Sequence, residues 1–299
     1  MLFTKNLRPG ITALQLEVLK EKNILADVLR LDLIHPIISG NKWFKLKEYL
    51  TEAKQQNKTT IITFGGAFSN HIIATAAFCE EQGLKSAGII RGEKPEKLSH
   101  TLQAAAKCGM DLSFVEREKY KTKEIPATIF KKYMDAYIIN EGGYGIPGMK
   151  GAGSILDFAN SNEYSHIITA VGTGTTLAGL VEASSDTQIV IGISSLKNNL
   201  ELQDEINYLL SPVNKNRFQL LHQFHFGGYA KYTVELIAFM NNWFSMTGIP
   251  SDFVYTGKLF YAFNALATGG SFPPGSKILL IHSGGLQGNN SLKKGTLIF

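Results

Sequence analysis

The sequence predicts an α/β protein with mostly parallel sheets. Short apolar, β-prone runs alternate with longer helical patterns, and two of these runs pass through a glycine turn straight into a helix start. The strand candidates are Thr60 to Thr63, Ser86 to Ile90, Leu112 to Val115, Ala136 to Ile139, His166 to Val171, Gln188 to Ile193 and Lys277 to Ile281. Their spacing leaves room for a crossover helix after most of them, which is the rhythm of βαβ units. No solenoid repeat or low-complexity linker is visible, so domain boundaries must be sought at glycine clusters, the best being Glu141-Gly142-Gly143-Tyr144-Gly145-Ile146-Pro147-Gly148.

The first chemically informative stretch is Ser39-Gly40-Asn41-Lys42, a lysine between a glycine turn and a helical run from Trp43 to Glu52. Alone, such a lysine reads as a solvated surface charge, as do Lys45, Lys47 and Lys54 further along the helix. Next, Ile61-Ile62-Thr63-Phe64 leads through Gly65-Gly66-Ala67-Phe68 into Ser69-Asn70-His71 and an Ala-rich helix ending near Glu81. Ser69 or Asn70 would serve as its N-cap, although three successive polar side chains exceed what one cap needs.

A second unit of the same kind runs from His166-Ile167-Ile168-Thr169-Ala170-Val171 into Gly172-Thr173-Gly174-Thr175-Thr176 and then Leu177-Ala178-Gly179-Leu180. Glycines there let backbone N–H groups converge at a helix N-terminus, and the threonines add hydroxyls. This suits a phosphate dianion, against the plain alternative of a tight turn with a threonine cap. A dinucleotide fingerprint fails because Leu177 stands where the third glycine belongs, and no Walker lysine is present. A phosphate monoester loop with a lysine on a separate turn points to pyridoxal 5'-phosphate, whose aldehyde a lysine holds as a Schiff base.

Ser-Gly-Asn-Lys, Ser-Asn-His, Gly-Thr-Gly-Thr-Thr, Val254-Tyr255-Thr256-Gly257-Lys258 and His282-Ser283-Gly284-Gly285 occur in that order. In these motifs the chain resembles the 1-aminocyclopropane-1-carboxylate deaminase and D-cysteine desulfhydrase family. That family belongs to the fold type II pyridoxal phosphate enzymes, and the matching motifs run from residue 39 to about 288. The resemblance implies two open, mostly parallel α/β domains with the active site in the cleft between them. The larger domain would comprise residues 1–46 and 151–299, and the smaller, inserted one residues 47–150.

The resemblance also implies roles. Lys42 would carry the cofactor and later return protons. Asn70 would donate to the cofactor's phenolic oxygen, and Gly172, Thr173, Gly174, Thr175 and Thr176 would hold its phosphate. Ser69 and His71 would face the substrate carboxylate, with Tyr229 and Ser283 also on the substrate side, although His71 and Tyr229 read equally well as packing residues. Tyr255 would stand near the substrate. Which of Lys42, Ser69 and Tyr255 removes the α-proton stays open by residue type.

Thr256 departs from the pattern, standing where the deaminase branch carries a glutamate that faces the pyridine nitrogen. A carboxylate there would favour a protonated ring nitrogen and a strong electron sink, which a hydroxyl does much less. Ring opening demands that sink, whereas expelling a thiolate or chloride from the β-carbon demands less. The expectation is therefore a lyase of D-cysteine desulfhydrase type giving pyruvate, ammonia and hydrogen sulfide. A ring-opening deaminase and a non-catalytic pyridoxal phosphate binder are the alternatives. Phe44 in place of an arginine, Tyr144 in place of a serine and Ser283 in place of a threonine are further departures, and they bear on the substrate.

Composition narrows the class. With 299 residues, 44% apolar and 18% charged, the chain has an ordinary globular make-up. Its formal charge of +5 is spread along the chain, which argues against a nucleic-acid partner. No apolar run is long enough to span a membrane, and Lys5, Arg8 and Pro9 interrupt the N-terminus where a signal peptide would need an apolar core. A cytoplasmic protein acting on a small amino acid, without a metal site, is expected, and the family suggests a homodimer. Cys79 and Cys108 read as buried free thiols.

Overall fold

Two sheets account for the alternating pattern, and the chain runs into the second and back out again. The computed structural model describes residues 9–299. In chain order, β1 (Gly10–Ala13), α1 (Glu17–Glu21) and β2 (Leu25–Arg30) lead to α2 (Asn41–Gln55). Then follow β3 (Thr60–Gly65), α3 (Asn70–Glu81), β4 (Lys85–Arg91), α4 (His100–Lys107), β5 (Met110–Val115), α5 (Arg117–Tyr120), α6 (Ala127–Lys132) and β6 (Tyr137–Ile139). The chain continues through α7 (Ile146–Gly153), β7 (His166–Val171), α8 (Thr175–Ala183), β8 (Ile189–Ser194), α9 (Leu202–Leu209) and β9 (Phe218–Leu221). It closes with α10 (Val234–Thr247), α11 (Thr256–Thr268) and β10 (Lys277–His282).

The larger sheet has the order β1-β2-β10-β7-β8-β9, and the smaller β5-β4-β3-β6. Every pairing is parallel except β1 with β2. Each expected strand is present. The strands missing from the apolar reading are β1, β2 and β9. β1 and β9 are four-residue strands at the two edges of the larger sheet, and none of their residues is buried, so they carry little apolar signal. β2 is interrupted by Asp27 and Arg30, whose charges find tertiary partners: Asp27 accepts from the Tyr164 hydroxyl at 2.7 Å, and Arg30 pairs with Asp32.

Alternate residues of the parallel strands feed opposite cores, as a sheet covered on both faces requires. Ile167, Leu279 and Ile281 join Phe44, Leu46, Leu177 and Leu180 on one face. Ile168, Ile278 and Leu280 join Trp243, Phe260 and Phe263 on the other. The same rule places Ile61 towards α2 and α3, and Ile62 and Phe64 towards Tyr120 and Ile129. The thiols are unpaired, with Cys79 buried and Cys108 half-buried. None of the described helices is long and apolar enough to cross a membrane.

Helices α2, α7 and α8 are in close contact where the two sheets meet. A methyl group at Gly179 of α8 would lie 2.4 Å from the Met149 carbonyl oxygen and 2.7 Å from the Gly153 nitrogen. Backbone atoms cannot yield as a flexible side chain would. Gly179→Ala should therefore cost about 2–3 kcal/mol, the usual cost of overpacking, read as a lower denaturation midpoint in urea; an unchanged midpoint would show that α7 and α8 separate freely.

Candidate active site in the cleft

Parallel strands end together, and the loops that leave their carboxyl ends form the cleft. From the larger sheet these are Gly172 to Thr176 after β7 and Ser283 to Gly285 after β10. From the smaller sheet they are Gly66 to Asn70 after β3, Glu116 after β5, and Asn140 to Gly143 after β6.

Lys42 owes its place to Gly40. That residue has φ +72°, which glycine adopts without strain, and a Cβ there would lie 1.8 Å from the Ser283 carbonyl oxygen. The turn is pinned on the same oxygen by the Asn41 backbone N–H at 3.2 Å. The Asn41 side chain donates to Thr176 Oγ1 at 2.8 Å, fastening the start of α2 to the start of α8. The Ser283 turn is held from behind. His282 Nδ1 accepts from the Gly284 N–H at 3.2 Å, while Nε2, which therefore carries the hydrogen, donates to the Pro250 carbonyl at 2.8 Å. Burial keeps His282 below its usual range, although Asp32, 3.4 Å away, acts in the opposite sense.

The phosphate-type loop has the form expected of it. Gly174, at φ +78°, takes the left-handed turn that opens α8, and the Thr173 and Thr175 hydroxyls lie 3.1 Å apart at its mouth. Thr175 and Thr176 are buried. A Cβ at Gly172 would sit 3.1 Å from the Tyr255 hydroxyl, so this phenol closes one side of the loop. Tyr229 is 44% exposed, and its ring is edge-on to Tyr255 with centroids 6.1 Å apart. Burial first, and then Tyr229, push the Tyr255 phenol well above its usual range, so it holds its proton at neutral pH.

Ser69 caps α3, accepting from the Ile72 N–H at 3.4 Å. Asn70 is the first helical residue, and its Oδ1 is buried with no partner. A Cβ at Gly285 would lie 2.9 Å from Asn70 Nδ2 and 3.5 Å from Asp252 Oδ1, so the glycine turn leaves a narrow slot between the two domains' polar groups. His71 points the other way, into the smaller sheet. Its Nε2 is 2.8 Å from Thr63 Oγ1, and that hydroxyl spends its hydrogen on the Ile139 carbonyl. Nε2 must therefore donate, leaving Nδ1 as a buried lone pair without a partner. Burial, with Lys42 and Lys45 nearby, holds this imidazole neutral.

Lys45 overturns one expectation: it is not a solvated helix charge. It is 2% exposed, lies one turn beyond Lys42 on the same helix face, and donates to the Gly142 carbonyl at 3.1 Å. Burial and the Lys42 charge hold its ammonium well below the usual range. Lys47 is partly exposed, and Lys54 is exposed. Phe44, at the arginine position, is wholly buried against Trp43 and Phe158, directed into the core. Tyr144 donates to the Glu205 carbonyl at 2.9 Å.

Asp252 is the site residue that sequence reasoning missed. It is fully buried and accepts from the Val254, Tyr255 and Thr256 backbone N–H groups at 2.9–3.0 Å. The Thr256 hydroxyl donates to Asp252 Oδ1 at 2.7 Å and accepts from the Asp252 N–H at 2.7 Å. One lone pair of Thr256 remains, so its hydroxyl can only accept from a further group. Lys258, also fully buried, donates to the Gly228 carbonyl at 2.8 Å and ties the loop of Tyr229 to α11. An aspartate four residues ahead of a threonine that opens a helix is the signal that would have exposed this cap.

Burial lowers Lys42 to about 8, and the Asp252 carboxylate opposes that shift. An amine lowered to about 8, a helix N-terminus with threonine hydroxyls and a carboxamide beside a side-chain-free slot fit a flat aldehyde that carries a phosphate.

Comparison with known proteins agrees with that fit. A provisionally named 1-aminocyclopropane-1-carboxylate deaminase of Thermotoga maritima is 30% identical, with 87% of this chain and 88% of the relative covered. The bifunctional mitochondrial D-cysteine desulfhydrase/1-aminocyclopropane-1-carboxylate deaminase of Arabidopsis thaliana is 29% identical over 84% of this chain and 70% of its own. The solved structure of a 1-aminocyclopropane-1-carboxylate deaminase homologue superposes with a TM-score of 0.82 at 27% identity, covering 95% of this chain and 92% of that one. The model of the pyridoxal-phosphate dependent enzymes matches residues 9–284, and the chain belongs to that family.

Proposed function

We propose that the protein is a lyase that eliminates the β-substituent of a small amino acid, with D-cysteine as the reference substrate and pyruvate, ammonia and hydrogen sulfide as products. Thr256, its hydroxyl bound to Asp252, carries the choice of elimination over ring opening, because no carboxylate stands at that position itself. The 70-residue stretch that is 40% identical to a D-cysteine desulfhydrase of Oryza sativa, itself provisionally named, supports the same branch. In this reading the smaller domain is residues 47–150, supported by a four-stranded sheet that lies wholly within it.

When bound, the cofactor accepts the electron pair left at the α-carbon. Lys42 holds it and, with its amine lowered to about 8, is the group suited to take and return the α-proton. Tyr255 keeps its proton and donates towards the substrate side. Gly172 to Thr176 at the start of α8 hold the phosphate, and Lys45 braces the Gly142 turn that packs on Thr173. Asn70 presents Nδ2, which lies beside the Gly285 turn, to the ring oxygen, while Ser69 and the first N–H groups of α3 meet the substrate carboxylate. Ser283 and Tyr229 border the substrate. His71, with its lone hydrogen committed to Thr63, acts from behind the loop as an acceptor.

Protein loaded with pyridoxal phosphate should release pyruvate from D-cysteine and from β-chloro-D-alanine. Binding of both without product would sink the reading. Lys42→Ala should remove the visible cofactor band and lower turnover by at least about a thousandfold, the scale of losing covalent and acid-base catalysis together.

The low Lys42 value has a direct pH consequence. A lysine at its ordinary pKa is neutral in only about one molecule in a thousand at pH 7.5, whereas one at about 8 is neutral in about one in four. The rate at which apoprotein reacts with a carbonyl reagent should climb with pH, reach its half-maximum near 8 and flatten above. A rate still rising steeply beyond pH 9 would place Lys42 in water.

Thr256→Glu should raise release of 2-oxobutanoate from 1-aminocyclopropane-1-carboxylate relative to pyruvate release from D-cysteine. An unchanged ratio would remove Thr256 as the determinant.

A further inference from the structure

A cavity of about 460 Å³ opens at the carboxyl edge of the smaller sheet, beside the cleft. Its charged lining comprises Arg91, Arg117, Lys121 and Lys123 against Glu118 and Glu141, a net charge of +2. Most of these charges are already matched. Lys121 pairs with Glu118 at 2.7 Å in solvent, and Glu141 pairs with Lys123, whose ammonium also lies 3.6 Å from the centroid of the Tyr120 ring. Arg91 and Arg117 remain. Among the described residues neither has a carboxylate partner, and the Arg91 guanidinium carbon lies 6.0 Å from the centroid of the Tyr120 ring.

Arg91 also faces the catalytic side. It is the last residue of β4, and a Cβ at Gly66 would lie 3.6 Å from its terminal nitrogen, so the guanidinium overlies the loop that leads to Ser69 and Asn70. Its charge reaches Tyr229 across the cleft. Glu141, on the other wall, precedes Gly142, where a Cβ would meet the Thr173 methyl at 2.9 Å. Lys123 and Glu141 also line the neighbouring pocket that Thr173 borders, so the cavity adjoins the mouth of the site, and a group leaving the β-carbon in that direction would meet an unpaired guanidinium.

We propose that Arg91 is a specificity-determining residue that receives an oxyanion at the far end of the substrate's β-substituent, so that the preferred substrates carry a second acidic group, a carboxylate or a sulfonate, beyond the bond that breaks. This rests on the lyase reading and names its substrate class. In such a substrate the α-proton passes to the enzyme base, the β-carbon–sulfur bond breaks, and the thiolate leaves with the bonding pair. The aminoacrylate that remains takes up water to give pyruvate and ammonia, and no oxidant or reductant is consumed. Arg91 makes a charge-assisted contact at a partly solvated site, where a preference of about five- to tenfold is the expected scale.

The test uses two nearly isosteric substrates, S-carboxymethylcysteine and S-carbamoylmethylcysteine, in the enantiomer that the loaded enzyme binds. Pyruvate release gives kcat/KM, and calorimetry on the same holoenzyme gives Kd. The carboxymethyl compound should be favoured about five- to tenfold in both readouts. Arg91→Gln should bring that ratio close to one, and Arg91→Glu should reverse it in favour of the cationic S-aminoethyl analogue. Equal handling of the two compounds by the unaltered enzyme, or a ratio indifferent to Arg91→Gln, would overturn the inference while leaving the lyase reading intact. A Kd preference that depends on Arg91, without pyruvate from any compound, would uphold the subsite and sink the lyase reading.

Discussion

The contact on which the cleft depends is the approach of Gly40 to the Ser283 carbonyl. It admits no side chain, and it fixes the first turn of α2 against the last strand added to the larger sheet. Lys42 can reach inward because that turn cannot drift. Behind the contact stands a buried chain of polar groups, in which Arg30 grips Asp32 with two hydrogen bonds, Asp32 faces His282, and His282 braces the Ser283 turn. The side chains of Arg30, Asp32 and His282 are nearly or wholly buried and partnered, so the network specifies geometry more than it adds stability.

Electrostatically the interior is lopsided. Lys42, Lys45 and Lys258 surround the cleft, and Asp252 is the carboxylate that acts on Lys42 and Lys258. Three backbone N–H groups and one hydroxyl already occupy that carboxylate. Buried cations are costly without counter-charges. In the proposed reading a phosphate on the α8 side and a carboxylate on the α3 side would supply them, and binding would relieve the same burial that depresses the lysines.

Much of this was legible in the chain. The strand–glycine–helix units, the αL glycine at the head of α8 and the cap at Ser69 follow from local rules, and the structure has them where those rules put them. The edge strands β1 and β9 were illegible because four unburied residues carry no apolar pattern, and β2 was hidden by charges that only Tyr164 and Asp32 explain. Lys45 was misread for the same reason. Its chemistry is that of any helical lysine until the Gly142 turn, nearly a hundred residues away in sequence, covers it. Asp252 needed the fold too, since nothing local says that the loop before α11 is buried.

The smaller sheet is joined to the rest by two covalent passages, α2 on the way in and the turn from Asn140 to Gly148 on the way out. Lys42 and Lys45 lie on the first, and the carbonyl that Lys45 holds lies on the second. The covalent connections between the sheets and the cleft lysines are therefore made from the same residues. Were the smaller sheet to move against the larger, the displacement would pass directly through α2 to Lys42, so that in the proposed reading access to the cleft and placement of the lysine would share one coordinate.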